Sequence, residues 1–335
     1  MSLRRLPLVT LYLSERCNSR CISCDYWRHG RADLDLERVP HLLASFERLG
    51  TETVLISGGE PLLNPDWAQI AQLLRDHGLK LWLLTSGLSL AKHAARAAGL
   101  FDAITVSLDG TDPATYAQIR GIDAFDVVCR GIRAAVAAGA PVTLRVTLQR
   151  GNFRQLPGFV ALARQLGVAH VSFLAIDVAN SHAFGRQDGF KSDLALRPED
   201  LAELERVLLA LERQYADDFR TGFISESPEK LRQRILRYFS AVCGLGVYPP
   251  VRCNAPEFSA VIDARGHVSP CFFIDGPPEA VVTDDLEGTL NGESMAALRN
   301  AIRHGTRPEC SRCVCSMWRD LRQPGAQHMP LARSA

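Results

Sequence analysis

The sequence predicts an α/β fold: an open barrel of six parallel strand-helix units, a helical extension, and a small C-terminal domain of β-hairpin and helix that carries metal. Three observations point there. Short β-branched or Leu-rich runs alternate with amphipathic stretches from residue 8 to residue 175, and glycines follow the amphipathic stretches. Eight of the ten cysteines fall in two groups, one directly after the first apolar run and one in the last third of the chain.

Strands are expected over 8–13, 53–57, 79–85, 103–108, 142–148 and 170–175, each short and bounded by turn residues. Helices are expected over 36–49, 67–77, 90–98, 125–138 and 156–166. Gly50, Gly78, Gly99, Gly139 and Gly167 each follow the last periodic residue, where a left-handed C′ position favours glycine. Such repetition argues for parallel strands with right-handed crossovers, and six units make a partial (β/α)6 TIM-like barrel rather than a closed eight-stranded one. Functional groups in such barrels gather at the C-terminal strand ends. Beyond the sixth strand the pattern over 197–240 is helical, opened by Pro198-Glu199-Asp200 with apolar Leu201, Leu204, Leu208 and Leu211; these helices are expected to pack against the barrel's open side. The expected divisions are a core over 1–180, a helical extension over 181–245, an auxiliary metal domain over 246–322 and a frayed tail over 323–335 containing Pro324, Gly325 and Pro330.

The 335 residues, 47% hydrophobic, can bury a barrel-sized core. A net charge of +1 and the lack of a long Lys/Arg run leave no footprint for nucleic acid or an anionic membrane. No run approaches the roughly 20 apolar residues of a membrane span. The start, Met1 to Pro7, has no cleavable signal pattern. The chain is therefore expected to be cytoplasmic, where cysteines serve as metal ligands rather than disulfides.

The first thiol group is Cys17-Asn18-Ser19-Arg20-Cys21-Ile22-Ser23-Cys24. Three thiolates on one loop can hold three corners of a cubane iron-sulfur cluster and leave its fourth iron open. This CxxxCxxC spacing resembles that of the radical S-adenosylmethionine (SAM) enzymes. The resemblance implies that SAM chelates the open iron of a [4Fe-4S] cluster held by Cys17, Cys21 and Cys24, that one electron cleaves the sulfonium, and that the resulting 5′-deoxyadenosyl radical takes hydrogen from substrate. The residue before the third Cys, usually aromatic in that family, is Ser23; Tyr26 or Trp27 is expected to pack near adenine instead. A zinc knuckle would need a fourth ligand, for which His29 is the nearest candidate.

After the second strand, Ser57-Gly58-Gly59-Glu60-Pro61 matches the family's GGEP element. Gly58 and Gly59 let backbone approach the ligand closely, Glu60 is expected to hold the loop together, and Pro61 completes the motif. The third strand ends in Thr85-Ser86-Gly87 and the fourth in Ser107-Leu108-Asp109, where hydroxyls and a carboxylate suit the ribose and methionine ends of SAM. Arg145 interrupts the fifth strand and needs an anionic partner, for which the SAM carboxylate is the expected one. By resemblance, Ala175 and its neighbours put backbone near adenine, while Asp177 faces substrate or caps a loop.

The second thiol group reads Cys253, twelve residues, Gly266, four residues, Cys271, then Cys310-x-x-Cys313 and Cys315. It resembles the family's SPASM/twitch auxiliary-cluster domains, in which two Cys flank a hairpin. The shorter, single-cluster twitch form fits this chain. The resemblance implies an auxiliary [4Fe-4S] cluster on Cys253, Cys271, Cys310 and Cys313, on the open side of the barrel facing substrate; Cys315 and Cys243 are able to substitute, and Cys129 belongs to the core. Structural zinc on four thiolates is the alternative.

Taken together, the resemblance implies an enzyme that cleaves SAM reductively and abstracts hydrogen from a small-molecule substrate, whose radical is oxidised, decarboxylated or coupled with help from the auxiliary cluster. A flavodoxin or ferredoxin-like protein would supply the electron. A peptide- or protein-modifying maturase is the alternative within the class, set lower because no leader-binding segment precedes the first strand. A non-catalytic iron-sulfur redox protein has no use for a SAM pocket, and nothing marks the second SAM site or cobalamin domain of a methyltransferase.

Overall fold

The computed structural model describes residues 2–180, 183–186, 189 and 191–321; the tail expected to fray, from Gln323, lies outside them. Six parallel strands appear as the alternation requires: β1 (Leu8–Ser14), β2 (Thr53–Gly58), β3 (Lys80–Thr85), β4 (Ala103–Ser107), β5 (Val142–Leu148) and β6 (His170–Ala175). They pair in chain order. The connecting helices are α1 (Val39–Arg48), α2 (Trp67–Asp76), α3 (Leu90–Leu100), α4 (Pro113–Arg120), α5 (Phe125–Ala137) and α6 (Leu156–Leu166).

Two differences from the sequence reading have local causes. Gly99 does not end its helix: α3 runs on to Leu100, which is buried, and stops at the extended Phe101. The helix α4 was not foreseen. It has an Asp112 N-cap that accepts from Thr115 N at 2.9 Å, a proline at its first position and a left-handed Gly121 after its last residue. Only Tyr116 and Ile119 are buried along it, so its apolar period is short.

Strand faces follow the pleat. On β5, Leu144, Val146 and Leu148 lie in the main core beneath the helices, while Thr143, Arg145 and Thr147 alternate with them on the concave face. The sheet does not close on itself. Its β6 edge is covered by residues 223–226: Val171 N donates to Phe223 O and Ser225 N to Val171 O, while Glu226 accepts from Ser172 Oγ (2.7 Å) and Phe173 N (2.8 Å). That segment belongs to the helical extension, which contains α7 (Pro198–Gln214), α8 (Ala216–Thr221), α9 (Pro228–Leu231), a π-helical turn (Arg232–Leu236) and α10 (Arg237–Val242).

The C-terminal hairpin is β7 (Ser259–Ile262) and β8 (Val268–Ser269), followed by α11 (Leu286–Asn291), α12 (Glu293–Arg303) and α13 (Pro308–Ser311). Strand β7 pairs parallel with β1, so the sheet has eight strands in the order β6-β5-β4-β3-β2-β1-β7-β8. Gly266 makes the hairpin turn at φ +89°, and Arg38, beside α1, donates to Arg265 O (2.8 Å) and Val282 O (2.7 Å) across it. A second apolar cluster joins Leu8 and Leu55 of the concave face to Ala255, Phe258 and Met317, with Trp82, Leu84, Cys253 and Phe272 at its margin. The C-terminal domain thereby fills part of the barrel's lumen. No helix among the described residues is long and apolar enough to cross a membrane.

Candidate metal centres and ligand pocket

The loop bearing Cys17, Cys21 and Cys24 leaves the C-terminal end of β1 and is tied down on three sides. Ser14 Oγ donates to Asp33 (2.6 Å), which Arg16 also holds through Nε at 3.2 Å. Arg20 N and Ile22 N donate to the carbonyls of Arg120 and Ile119, so the C-terminal end of α4 is the floor of the loop. At Gly121, φ +68°, an added Cβ would come within 2.2 Å of Arg20 O, so glycine is required by both backbone and space. Phe184, left-handed at φ 59°, turns its carbonyl toward Asp25 N (3.1 Å) and Cys24 Sγ (3.5 Å). A phenylalanine in that conformation is strained.

Burial pushes the Cys17 thiol up to about 11 and the Cys24 thiol to about 12, and raises Cys21 as well. Cys21 raises both Cys17 and Cys24, and Cys17 raises Cys24, while the Arg120 guanidinium opposes the shift at all three. All ten cysteines are free thiols. Among the described residues no three His, Cys, Asp or Glu are set to hold a single metal ion. Three thiols on one loop beside a buried cation suit a larger, negatively charged group such as a cluster. Orphaned buried polar atoms at Ser19 Oγ and Arg120 Nε lie at the same place. Each thiol must lose its proton to bind metal, so iron loading of the apoprotein will release protons and strengthen as pH rises. Titrating iron and sulfide into apoprotein at several pH values, with proton release measured, tests this; loading indifferent to pH would contradict the buried, protonated thiols.

The GGEP element is stitched to this loop. Gly59 N donates to Ser14 O (2.8 Å) and Glu60 N to Arg16 O (2.7 Å). A Cβ at Gly59 would meet Arg16 O at 2.4 Å, and one at Gly58, φ +132°, would meet Ser14 O at 2.5 Å. The glycines therefore serve a close approach between two protein loops, and the N–H groups of residues 59 and 60 are already committed. Glu60 is fully buried and accepts from Leu62 N (3.2 Å), Thr85 Oγ1 (2.8 Å) and Ser86 N (2.6 Å), which makes it the knot of the site. Burial raises its pKa while these donors oppose the rise. Pro61 begins the turn that follows. Ser86, which the sequence reading did not single out, donates through Oγ to Asn18 Oδ1 at 3.0 Å and joins the strand end to the Cys loop.

Other expected ligand residues are placed differently. Asp109 is buried and engaged, accepting from Arg120 Nη1 (3.0 Å) and Thr147 N (2.7 Å), so its role is to hold α4 against β5. Ser107 and Arg145 are register partners on neighbouring strands, half-buried on the concave face, and Ser172 follows on β6. Arg145 lies among Lys230, Arg234 and Cys315, whereas the guanidinium beside the Cys17 loop is Arg120. Tyr26 sets its ring edge-on to Tyr12 at 5.7 Å, and burial pushes its hydroxyl up to about 12. Trp27 is pinned by donating to Cys24 O at 2.9 Å. Ala175, at the end of β6, is buried. Asp177 caps its own loop, accepting from Ala179 N (2.9 Å) and Asn180 N (3.0 Å). The ring of His29 bonds Gly185 O.

The second thiol group assembles on the hairpin and the chain after α13. Cys271 senses Cys253 and Cys310, while Cys313 senses Cys315, Cys253 and Cys271, so the four expected ligands converge with Cys315 beside them. Burial raises Cys313 and Cys315, pushes Cys271 to about 12 and Cys310 to about 11. Cys315 N donates to Cys313 Sγ at 3.4 Å. Cys243 stands apart, bonded to Leu196 O, and Cys129 is buried in α5. Arg265, at the hairpin tip, pairs with Glu15 at 2.5 Å, two residues before Cys17.

These features define an open parallel barrel with one thiol centre at the end of its first strand and another inside its lumen. Residues 11–160 match the radical SAM superfamily and residues 253–314 match the SPASM iron-sulfur cluster-binding domain. The chain thus carries a radical SAM domain followed by a SPASM iron-sulfur cluster-binding domain, and the two imply a SAM-binding [4Fe-4S] cluster, SAM and an auxiliary iron-sulfur cluster. It is similar to GTP 3′,8-cyclase of Shewanella denitrificans, 35% identical over 177 residues (49% of this chain, 52% of the relative). AdoMet-dependent heme synthase of Methanosarcina barkeri is 30% identical over 176 residues, half of each chain. The chain spans about half the length of these curated relatives. Among solved structures, anSMEcpe with bound AdoMet shares the fold at TM-score 0.63 and 16% identity, covering 87% of this chain and 82% of that one. Streptococcus suis SuiB bound to S-adenosylmethionine does so at TM-score 0.61 and 15% identity, covering 89% and 66%.

Proposed function

We propose that this protein is a radical SAM enzyme that converts SAM to a 5′-deoxyadenosyl radical, abstracts hydrogen from a small-molecule substrate, and uses its auxiliary centre to oxidise, decarboxylate or couple the substrate radical. The observation that carries the reading is the joining of the three-thiol loop, through Asn18, Ser86 and Glu60, to the polar ends of β2 and β3. An electron carrier has no need of polar strand ends joined to its thiol loop. When bound, the cluster supplies the electron that breaks the SAM carbon-sulfur bond, drawn from a flavodoxin or ferredoxin-like donor.

The chain's own part is positional. Cys17, Cys21 and Cys24 would hold three irons, and Arg120 lowers the cost of their thiolates. Ser107 and Arg145 face the lumen as register partners, and with Cys315 of the second thiol group beside Arg145 they would line the substrate side between the two centres rather than hold the SAM carboxylate. Phe184 and Phe273, edge to face at 5.6 Å, wall the site beside Cys24. Cys253, Cys271, Cys310 and Cys313 would hold the auxiliary cluster, with Cys315 able to replace one of them. Structural zinc on those thiols, in protein isolated without oxygen, would remove the auxiliary-cluster part of this reading.

The test is anaerobic turnover of reconstituted protein with SAM and a strong reductant. It is expected to release 5′-deoxyadenosine and methionine; S-adenosylhomocysteine as the main product would favour a methyltransferase instead. Cys271→Ala, checked for folding because loss of a metal site can unfold a small domain, is expected to keep deoxyadenosine formation and lose most substrate-derived product. Full product yield from a folded variant without the second cluster would leave that centre structural.

A further inference from the structure

At the opposite end of β1 from the Cys17 loop lies a cavity of about 240 Å³ with five arginines in its wall. The seven residues of β1 span about 23 Å, so a ligand there stands well away from the SAM-cluster loop. Arg299, from α12, is at the floor and only 6% exposed. The side chains of Arg319, Arg303 and Arg5 are 11%, 38% and 57% exposed, and Arg4 is exposed at the rim. The guanidinium groups thus form a funnel from buried floor to open mouth.

The charges do not balance. Arg303 pairs with Glu257, while Arg5 and Arg319 share Glu52. With Asp320 also in the wall, five cations face three carboxylates among the described residues. Arg299 is the telling member. Its bonds go to the Leu290 carbonyl and Asn291 Oδ1, and it forms no ion pair among the described residues. A buried charge bonded only to neutral groups is costly and calls for a counterion. Burial and the nearby Arg303 lower its pKa, and Glu257, itself paired with Arg303, opposes the shift without cancelling it. The position is built in advance, because Asn291 also clasps Leu3, accepting from its N–H (2.7 Å) and donating to its carbonyl (3.0 Å).

We propose that this cavity binds a small phosphate-class polyanion of about pyrophosphate size. Several planar guanidinium forks suit an anion with many oxygens rather than one carboxylate. The volume lies below the roughly 300–1,000 Å³ of pockets for larger organic ligands, which suits an anion of that size held within the funnel. The site also reaches the auxiliary domain: Asn254, next to Cys253, donates to Arg319 O (2.8 Å) and accepts from Arg319 N (2.9 Å). An anion held by Arg319 would fasten both ends of the segment that carries the auxiliary thiols. The proposal is independent of the radical chemistry and is tested without it.

Calorimetric titration of the reconstituted full chain with pyrophosphate, at fixed ionic strength, is expected to show one saturable site and a raised melting temperature. The rim double variant Arg4→Gln/Arg303→Gln is expected to weaken binding by roughly tenfold to hundredfold, as loss of charge-assisted bonds implies. Arg232→Gln, on the helical extension, should bind as the parent does. Both rim positions are exposed, and a matching melting curve without ligand confirms that the variant folds; should it not, Arg4→Gln alone, which has no ion pair to lose among the described residues, is expected to give a smaller loss of the same sign. No saturable binding of pyrophosphate, or equal binding by parent and rim variant, overturns the proposal. So does binding of an acidic protein without binding of pyrophosphate.

Discussion

Cys21→Ala will abolish release of 5′-deoxyadenosine from SAM while leaving the protein folded. The residue is the middle thiol of its loop, and Ile22 N remains bonded to Ile119 O whatever side chain stands at position 21. With all ligands intact, anaerobic reconstitution should give about eight irons per chain if both centres hold cubanes. Changing Cys17, Cys21 and Cys24 together to alanine should leave about four, those of the second centre. Undiminished deoxyadenosine formation by Cys21→Ala would remove this loop from the chemistry. Iron content near zero in the triple variant would remove the second centre.

Arg120→Met will cost the most stability of any change near the site. Side chains of Arg120 and Asp109 are 12% and 5% exposed, and the pair is closed by a 3.0 Å bond. Removing one partner of a buried pair costs about 3–5 kcal/mol because the other charge is left uncompensated. Burial already raises the Asp109 carboxyl, with Arg120 and Thr147 N opposing; without Arg120 it rises further. A carboxyl raised above its unfolded value contributes stability at low pH that is lost as pH rises through the folded value. The deficit of Arg120→Met should therefore be smaller in mild acid than at neutral pH, as denaturant melts would show. A loss under about 1 kcal/mol, with no pH trend, would mean the pair is better solvated than its burial implies.

The barrel was legible because its signal is local. All six strands and five of their helices fall within a few residues of where the apolar periods put them, and four of five glycine stops have left-handed backbones. Helix α4 escaped because two buried residues in eight make a weak period, although Asp112-Pro113 at one end and Gly121 at the other were visible signals. The thiols were legible by spacing alone. What surrounds them was less so, since the use of a buried polar group depends on neighbours distant in sequence: Asp109 spends itself on Arg120 and Thr147, and Ser86 reaches Asn18. The parallel pairing of β7 with β1 joins residues about 250 apart, which no local pattern encodes.

That pairing makes the distance between the two thiol centres a property of the sheet. A module hung on a linker would sample a range of separations, and electron transfer to it would wait on closure. Here the hairpin shares a hydrogen-bonded seam with the strand that carries the first loop, and the Glu15–Arg265 pair fastens the far end. The seam works as a ruler. Deleting the hairpin would bare the β1 edge to pairing with other chains, and exchanging it for a hairpin from a relative would succeed only if the new strand kept register from Leu8↔Ser259 to Leu11↔Ile262.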